Sequence, residues 1–286
     1  MSEIALFALK TDCDASRGSL LYAIMTLAPA PLIEAPANRH FAQLHRDPRA
    51  LTDAVTLYLE TGLQRGNPVV VIASSTHAGL FLARLREDGL DPSTYIRSGQ
   101  LELHDAELTL RKFMRNDEPD WQDFRHAMAS VFERVRAFGR ETTQVYSEMT
   151  NLLWQDGKQE AAIRLEEYWN ELAPAFSFSL FCSYTLDVHE DHAYTGPLED
   201  IGRTHSEILG NAEDERFRTA LDAASRDVFG VPLSEMVGFA RRRNSGEQRF
   251  PSGQRTMLWV KRNLPSASGA VLERARRYYE DSPGGK

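Results

Sequence analysis

Three groups at the ends of predicted strands could bind a ligand. Glu148 follows a central strand, His45 ends the first strand, and His104 with Asp105 ends the third. Ligands of parallel sheets usually bind beyond the carboxyl ends of the strands, so we expect Glu148, His45 and His104 to line a cleft. A carboxylate there could accept a hydrogen bond from a ligand or hold a histidine. Two structural alternatives stay open, since Glu148 could cap the helix near Asn151 and Asp105 could cap the helix after it.

Three further residues complete the predicted ligand-binding set. His40 begins the first strand, at the end opposite the cleft, so a structural role competes with a ligand role. Trp154, Trp169 and Tyr184 could form an apolar pocket, although aromatic residues at helical spacing more commonly pack in a core. We keep His40, Trp154 and Tyr184 as predicted ligand-binding residues.

Two polar pairs favour structural roles. Glu166 has Asn170 four positions later, a spacing that suits a contact at a helix end as well as a ligand. His189 and His192 have a spacing that suits a metal only on a helix with further ligands. Their surroundings are typical of a loop, which predicts a solvated turn. We therefore predict no metal, no cofactor and no catalytic residue.

The turn after the first strand argues against an ATPase. A phosphate-binding loop needs glycines for close backbone approach, a lysine for charge and Ser or Thr for Mg²⁺. The turn here, Arg46-Asp47-Pro48-Arg49-Ala50, has neither glycine nor lysine. The second strand ends in Ala73-Ser74-Ser75-Thr76, without a carboxylate to activate water. These residues predict a binding protein that is not an enzyme.

Composition indicates an ordinary globular protein. The 286 residues are 42% hydrophobic and 26% charged, which suits a buried core. The net charge of -8 gives no general attraction to nucleic acid or to an anionic membrane. Cys13 and Cys182 suggest neither a disulfide framework nor a ligand cluster, and a reducing, cytoplasmic location fits them best. The apolar run 19–30 follows acidic residues, which disfavours a signal peptide.

Strand and helix patterns alternate through the first two thirds of the chain. Short apolar runs predict five strands, at 40–45, 68–73, 101–105, 144–149 and 176–184. Helical periods separate them, the strongest at 121–138. This alternation predicts an α/β fold, with a mostly parallel sheet sandwiched by helices.

The pattern divides the chain into four parts. We predict a variable N-terminal extension at 1–38, an α/β domain at 39–210, an all-helical C-terminal region at 211–282 and a disordered tail at 283–286. Within the helical region, 241–249 is rich in arginine and could contact nucleic acid. We favour a solvated or partner-binding surface there, because no helix-turn-helix pattern accompanies it.

Two nested family resemblances follow from these motifs. The stretch from Arg49 to Glu107 resembles the start of a KaiC-type RecA ATPase. The longer stretch from His40 to Tyr184 more closely resembles the MEDS family, a sensory domain of methanogen and methylotroph regulators that include DcmR. The motifs that carry it are His40, Gly62-Leu63 with Gly66, GQLELHDA at 99–106, Pro119-Asp120, YSEM at 146–149 with Leu153-Trp154, Leu165-Glu166 with Trp169-Asn170, and LFCSY at 180–184. Ser147 stands where the family usually has glycine, so the backbone conformation at this position could differ from that of the family.

The resemblance implies a RecA-like fold and a sensory function. A small organic, hydrocarbon-derived ligand would bind in a degenerate nucleotide cleft, and the helical region would signal to a regulatory protein partner or a second copy. One alternative is a KaiC-like scaffold that acts by interaction alone. The other is a protein with residual ATP binding or ATPase activity.

Overall fold

The computed structural model describes residues 29–46, 48–136, 138, 142–240 and 249–282. The predicted N-terminal extension lies outside the described residues as far as position 28. Asp47, most of the basic 241–249 stretch and the tail 283–286 also lie outside them.

Six parallel strands form the central sheet. Their order across the sheet is β3-β2-β6-β7-β1-β8. An antiparallel hairpin, β4 with β5, lies apart from it. The strands are β1 (His40–His45), β2 (Val69–Ala73), β3 (Leu101–Asp105), β4 (Met114–Arg115), β5 (Glu118–Pro119), β6 (Thr143–Ser147), β7 (Phe178–Thr185) and β8 (Glu207–Leu209).

Helices connect these strands and form the C-terminal region. The first group is α1 (Ala30–Glu34), α2 (Pro48–Gln64), α3 (Ser75–Glu87), α4 (Pro92–Ser98), α5 (Ala106–Leu110), α6 (Trp121–Arg136), α7 (Met149–Gln155), α8 (Gln159–Leu172) and α9 (Pro197–Thr204). A 3₁₀ turn (Asp191–Tyr194) precedes α9. The C-terminal group is α10 (Ala212–Phe229), α11 (Leu233–Ala240), α12 (Ser252–Asn263) and α13 (Pro265–Asp281). The predicted α/β class with a helical C-terminal part is confirmed.

The two faces of the sheet bury separate cores because strand side chains alternate. Phe41 and Phe181 belong to the core that packs under α2 and α3. Ala42 and Cys182 belong to the other core, which packs under α6, α7 and α8 and continues into the C-terminal helices. The β1–β7 register sets Ala42 beside Cys182, so residues of matching parity on these strands share a face.

Several short elements were missed. The 4–8 residue windows that indicate strands do not detect β8, which has three residues, or the hairpin, whose strands have two each. The fourth strand ends at Ser147 rather than Met149, because Met149 already begins α7. Ser147 has no positive φ, so serine in place of glycine brings no backbone strain.

The C-terminal helices pack on the sheet domain. Asn211 and Asp214 form a reciprocal capping box that starts α10. Phe217 on α10 is fully buried in the core shared with the sheet. Among the helices of the described residues, none combines the length and the hydropathy of a membrane span.

Candidate functional site

Glu148 holds a histidine across two strand ends. Its Oε1 lies 2.6 Å from Nδ1 of His77, and its Oε2 accepts the Ser74 N–H at 2.9 Å. Its side chain makes no capping hydrogen bond to α7, although Glu148 occupies the N-cap position. Hydrogen bonding to Glu148 raises the pKa of His77, with burial opposing it. The Glu148 carboxylate therefore links the end of β6 to the start of α3 through two hydrogen bonds.

His104 and Asp105, at the end of β3, make contacts of their own. His104 lies beside Glu102 of its own strand, at 3.0 Å, and Arg134 of α6 approaches the same carboxylate. Burial lowers the pKa of His104. Asp105 caps α5 by accepting the Leu108 N–H at 2.8 Å, which confirms the capping alternative. His45 is buried at the end of β1, beside Thr185 of β7.

The three predicted pocket aromatics separate into two places. Trp154 packs edge-on against Tyr184, with ring centroids 5.5 Å apart. Trp169 instead packs against Phe124 and Phe178. Trp169 therefore packs in the core, which is the role that its helical spacing favoured, because α8 directs it toward α6.

The space beyond β1 is closed by side chains. Nη1 of Arg46 lies 2.7 Å from Nδ1 of His189, and its Nε lies 3.3 Å from Asp187. Arg276 and Tyr279 of α13 cover the same place, where only about 20 Å³ stays open. Arg46, which follows β1, is therefore enclosed by the segment after β7 and by α13.

The prediction of a solvated turn is correct for His192 and wrong for His189. His192 is exposed, but His189 is 3% exposed and its ring contacts Phe217 and Tyr279. Burial lowers the pKa of His189 to about 4. The local sequence could not predict this burial because the covering residues come from α10 and α13.

A cleft of about 410 Å³ lies between α5, the β4–β5 hairpin, the second half of α7 and the turn that follows α7. Its apolar lining consists of Leu110, Met114, Leu152 and Leu153. Leu110 and Leu153 are buried, and the other two are half-buried. None of the six predicted ligand-binding residues is among the residues that line it.

Charged side chains form the rim of this cleft. Lys158 pairs with Asp117 at 2.6 Å, which links the turn after α7 to the β4–β5 hairpin. Arg111 and Glu107 of α5 lie 3.7 Å apart. An apolar base with a polar rim suits a small organic molecule that carries a polar end.

A second cluster brings together His40, Glu166, Cys182 and His205, all buried. Nε2 of His40 lies 3.1 Å from one carboxylate oxygen of Glu166, and Nε2 of His205 lies 3.5 Å from the other. Sγ of Cys182 is 3.5 Å from both His40 Nε2 and Glu166 Oε2. Cys182, for which the sequence suggested no ligand cluster, thus lies beside two histidines and a carboxylate. We call these four residues the buried cluster.

Burial and close packing shift the ionisation of the buried cluster. Burial, and then the charge of Glu166, raise the pKa of Cys182 and of Tyr184, whose hydroxyl donates to Glu166. Burial and the neighbouring His40 lower the pKa of His205. Burial opposes the charge on Glu166, but the contacts with His205 and His40 outweigh it and hold the pKa of Glu166 well below its usual range.

Neighbouring acceptors orient both histidine rings of the cluster. Nδ1 of His40 lies 2.9 Å from Oδ1 of Asn170, whose Nδ2 donates to the Thr204 carbonyl. Nδ1 of His205 lies 2.7 Å from the Ile201 carbonyl. Since these oxygens are acceptors, each Nδ1 carries the hydrogen and each Nε2 faces Glu166.

The sequence contained a partial signal for this cluster. His40, Glu166, Asn170 and Cys182 all stand in the motifs that carry the family resemblance. His205 stands in the stretch Thr204-His205-Ser206, a possible extension of that resemblance, and the fold brings it to the other three. The spacing of the four residues along the chain matches no metal or catalytic motif.

Comparison with known proteins identifies the family. A model of the methanogen/methylotroph, DcmR sensory domain, called MEDS, matches residues 39–206, more than half of the chain. No curated protein matches the sequence. The chain therefore belongs to the MEDS family, and its role is sensory or regulatory.

Proposed function

From this membership of the MEDS family, we propose that the chain is a non-enzymatic sensor of a small organic, hydrocarbon-derived ligand. The ligand binds in the cleft between α5, the β4–β5 hairpin and the end of α7, and the C-terminal helices pass the bound state to a protein partner or a second copy. The observation that carries the proposal is the cleft of about 410 Å³, with an apolar base and a charged rim. Its volume falls in the range of about 300–1,000 Å³ that is common for small-molecule sites.

The closed end of β1 supports a ligand other than a nucleotide. Arg46 contacts Asp187 and His189, α13 covers them, and about 20 Å³ stays open there, which favours a ligand without phosphates. Pro48 opens α2 without an N–H to offer. At the end of β2, the Ser74 N–H is taken by Glu148. These contacts also support the absence of ATPase chemistry.

Ion pairs connect the sheet domain to the C-terminal helices. Lys261 of α12 contacts Asp191, and Arg276 of α13 lies 2.9 Å from Glu190. Both acidic residues belong to the segment that follows β7. A shift in that segment would move α12 and α13, which is the route by which we expect the signal to reach a partner.

The test is a thermal-shift screen of the full chain against short-chain alcohols, carboxylates, amines and halogenated alkanes, with Mg-ATP as a separate arm. A ligand that binds only the native state raises the melting temperature. We expect a stabilising organic compound and no shift with Mg-ATP.

A matched pair of variants locates the site. Met114→Glu places a charge in the apolar lining and should abolish the shift. Leu108→Glu, on the exposed side of α5, should leave the shift intact. Stabilisation by Mg-ATP alone would restore the ATPase alternative, and stabilisation by nothing would favour the interaction-only scaffold. An organic shift that persists in Met114→Glu would overturn the assignment of the cleft.

A further inference from the structure

We propose that the buried cluster of His40, Glu166, Cys182 and His205 binds a divalent transition metal ion of the zinc class. Two imidazole nitrogens, one sulfur and one carboxylate oxygen match the ligands that zinc prefers. This site lies on the α8 face of the sheet and does not depend on the ligand cleft.

The spacing of the donor atoms suits tetrahedral coordination. Ligand atoms about 2.1 Å from zinc lie about 3.4 Å apart in a tetrahedron, and slightly farther where one is sulfur. His40 Nε2, Cys182 Sγ and Glu166 Oε2 are separated by 3.1, 3.5 and 3.5 Å. His205 Nε2 lies 3.5 Å from the other carboxylate oxygen, Oε1. All four donor atoms lie within 4.8 Å of one another, so a modest inward shift completes the site.

The ring orientation is the one that metal ligation requires. A histidine that binds a metal usually donates its other ring N–H to a carbonyl, carboxylate or water. Here Asn170 accepts from His40 and the Ile201 carbonyl accepts from His205. Both Nε2 atoms therefore point inward, with their lone pairs available to a cation.

An unpartnered nitrogen provides an independent indication. Nε2 of His205 is buried and makes no hydrogen bond, although it lies 3.5 Å from Glu166. Its neighbour in the cluster is Oε1 of Glu166, so a cation bound to that carboxylate would lie within reach of this nitrogen. Buried polar atoms without partners are uncommon, and a missing ion is a recognised cause.

Binding exchanges protons for the metal. The Cys182 thiol, which donates to Glu166, gives up its proton as the sulfur–zinc bond forms. That proton goes to solvent, and the two histidines bind the metal as neutral imidazoles. Zinc affinity should therefore rise with pH. Tyr184 stays hydrogen-bonded to Glu166 and orients the carboxylate.

The cysteine count permits a direct spectroscopic test. The chain has two cysteines, so Cys13→Ser leaves Cys182 as its single thiol. A chelator removes bound metal from the Cys13→Ser protein, and Co²⁺ is then added as the probe. We expect about one cobalt per chain, visible bands typical of tetrahedral cobalt and a near-ultraviolet sulfur-to-cobalt charge-transfer band. Since only Cys182 can supply the sulfur, the result does not need a Cys182 variant that folds.

Zinc titration of the full chain supplies the second readout. Zinc should raise the melting temperature of the wild-type protein. His205→Gln should weaken zinc binding by at least about 100-fold, since even second-shell changes cost 10–100-fold. The exposed His192→Gln is the matched control and should bind as wild type. A single-thiol protein without the charge-transfer band, or unchanged zinc affinity in a folded His205→Gln, would overturn the proposal.

Discussion

Oε1 of Glu148, at the end of β6, lies 2.6 Å from Nδ1 of His77 in α3. The pair joins two central strands at the edge of the sheet where ligands of this fold class bind. It fixes the first turn of α3, since the other carboxylate oxygen accepts the Ser74 N–H.

Glu148→Gln should lower the pKa of His77, because hydrogen bonding to Glu148 is the main cause of its elevation. A raised histidine pKa stabilises the fold below the unfolded pKa of about 6.5, and the effect is lost as pH rises through the folded pKa. We expect the variant to lose about 1–2 kcal/mol of unfolding free energy at pH 5 and less at pH 8. NMR titration and urea unfolding measure the two effects. Glu102→Gln, beside His104, is the control, and an unchanged His77 pKa in Glu148→Gln would contradict the assignment.

His189 should make stability fall in mild acid. Its folded pKa of about 4 lies below the unfolded value of about 6.5, so the unfolded chain takes up a proton first as pH falls through that window. Burial is the main cause, Arg46 adds to it and Asp187 opposes it. His189→Asn should flatten this dependence by up to about 3 kcal/mol between pH 7 and pH 4. Urea unfolding at a series of pH values measures it.

The pH dependence of the His189 variant must be compared with that of a control variant, because Asp214 changes the stability with pH in the opposite direction. Burial raises the pKa of Asp214 to about 6, so its contribution falls as pH rises from about 4 to 6. His192→Asn, at an exposed position of the same segment, should keep the wild-type profile. If both histidine variants keep that profile, the burial of His189 has no effect on stability.

Gly62→Ala should destabilise the protein by about 1–3 kcal/mol. A methyl group there would lie 2.6 Å from Gln144 Oε1 and 2.9 Å from Val69 Cγ2. Gln144 cannot move freely, because it is buried and donates to the Tyr58 carbonyl. Gly79→Ala, in α3 with open space around it, should instead stabilise by about 0.5–1 kcal/mol. Urea unfolding of both variants measures the contrast, and equal effects would contradict the packing of α2 on β6.

Tyr184→Phe should cost about 1–3 kcal/mol, because the Glu166 carboxylate loses a buried donor. Tyr278→Phe removes a comparable hydroxyl, which donates to Asp227 at the surface. It should change stability by less than about 0.5 kcal/mol. Chemical unfolding of the two metal-free variants compares a buried with an exposed hydroxyl, and a neutral Tyr184→Phe would argue against an ionised Glu166.

Much of the fold could be predicted from the sequence. The apolar run at 68–73 and the alternation at 176–184 predicted β2 and β7, because side-chain periodicity is a local property. Helical spacing predicted α6 equally well. The short β8 and the strands of the β4–β5 hairpin have too few residues to show a periodic side-chain pattern. The pairing of β8 also depends on β1, which is distant in sequence.

The site could be predicted only in part. The sequence correctly placed Glu148 at the carboxyl edge of the sheet and left open that it holds a histidine, but His77 was not identified as the partner. His40 was retained as a ligand candidate, yet its contact with Cys182 spans 142 positions. Strand order and register decide such contacts, and no local pattern encodes them.

The sequence by itself determined the α/β alternation, the family and the lack of a glycine-lysine cradle after β1, since each depends on residues adjacent in the chain. Only the tertiary structure decided that His189 is buried under α10 and α13. It also decided that His40, Glu166, Cys182 and His205 share one buried point. The physical reason is that burial and donor geometry arise from the packing of separate elements, which periodicity along a single segment does not specify.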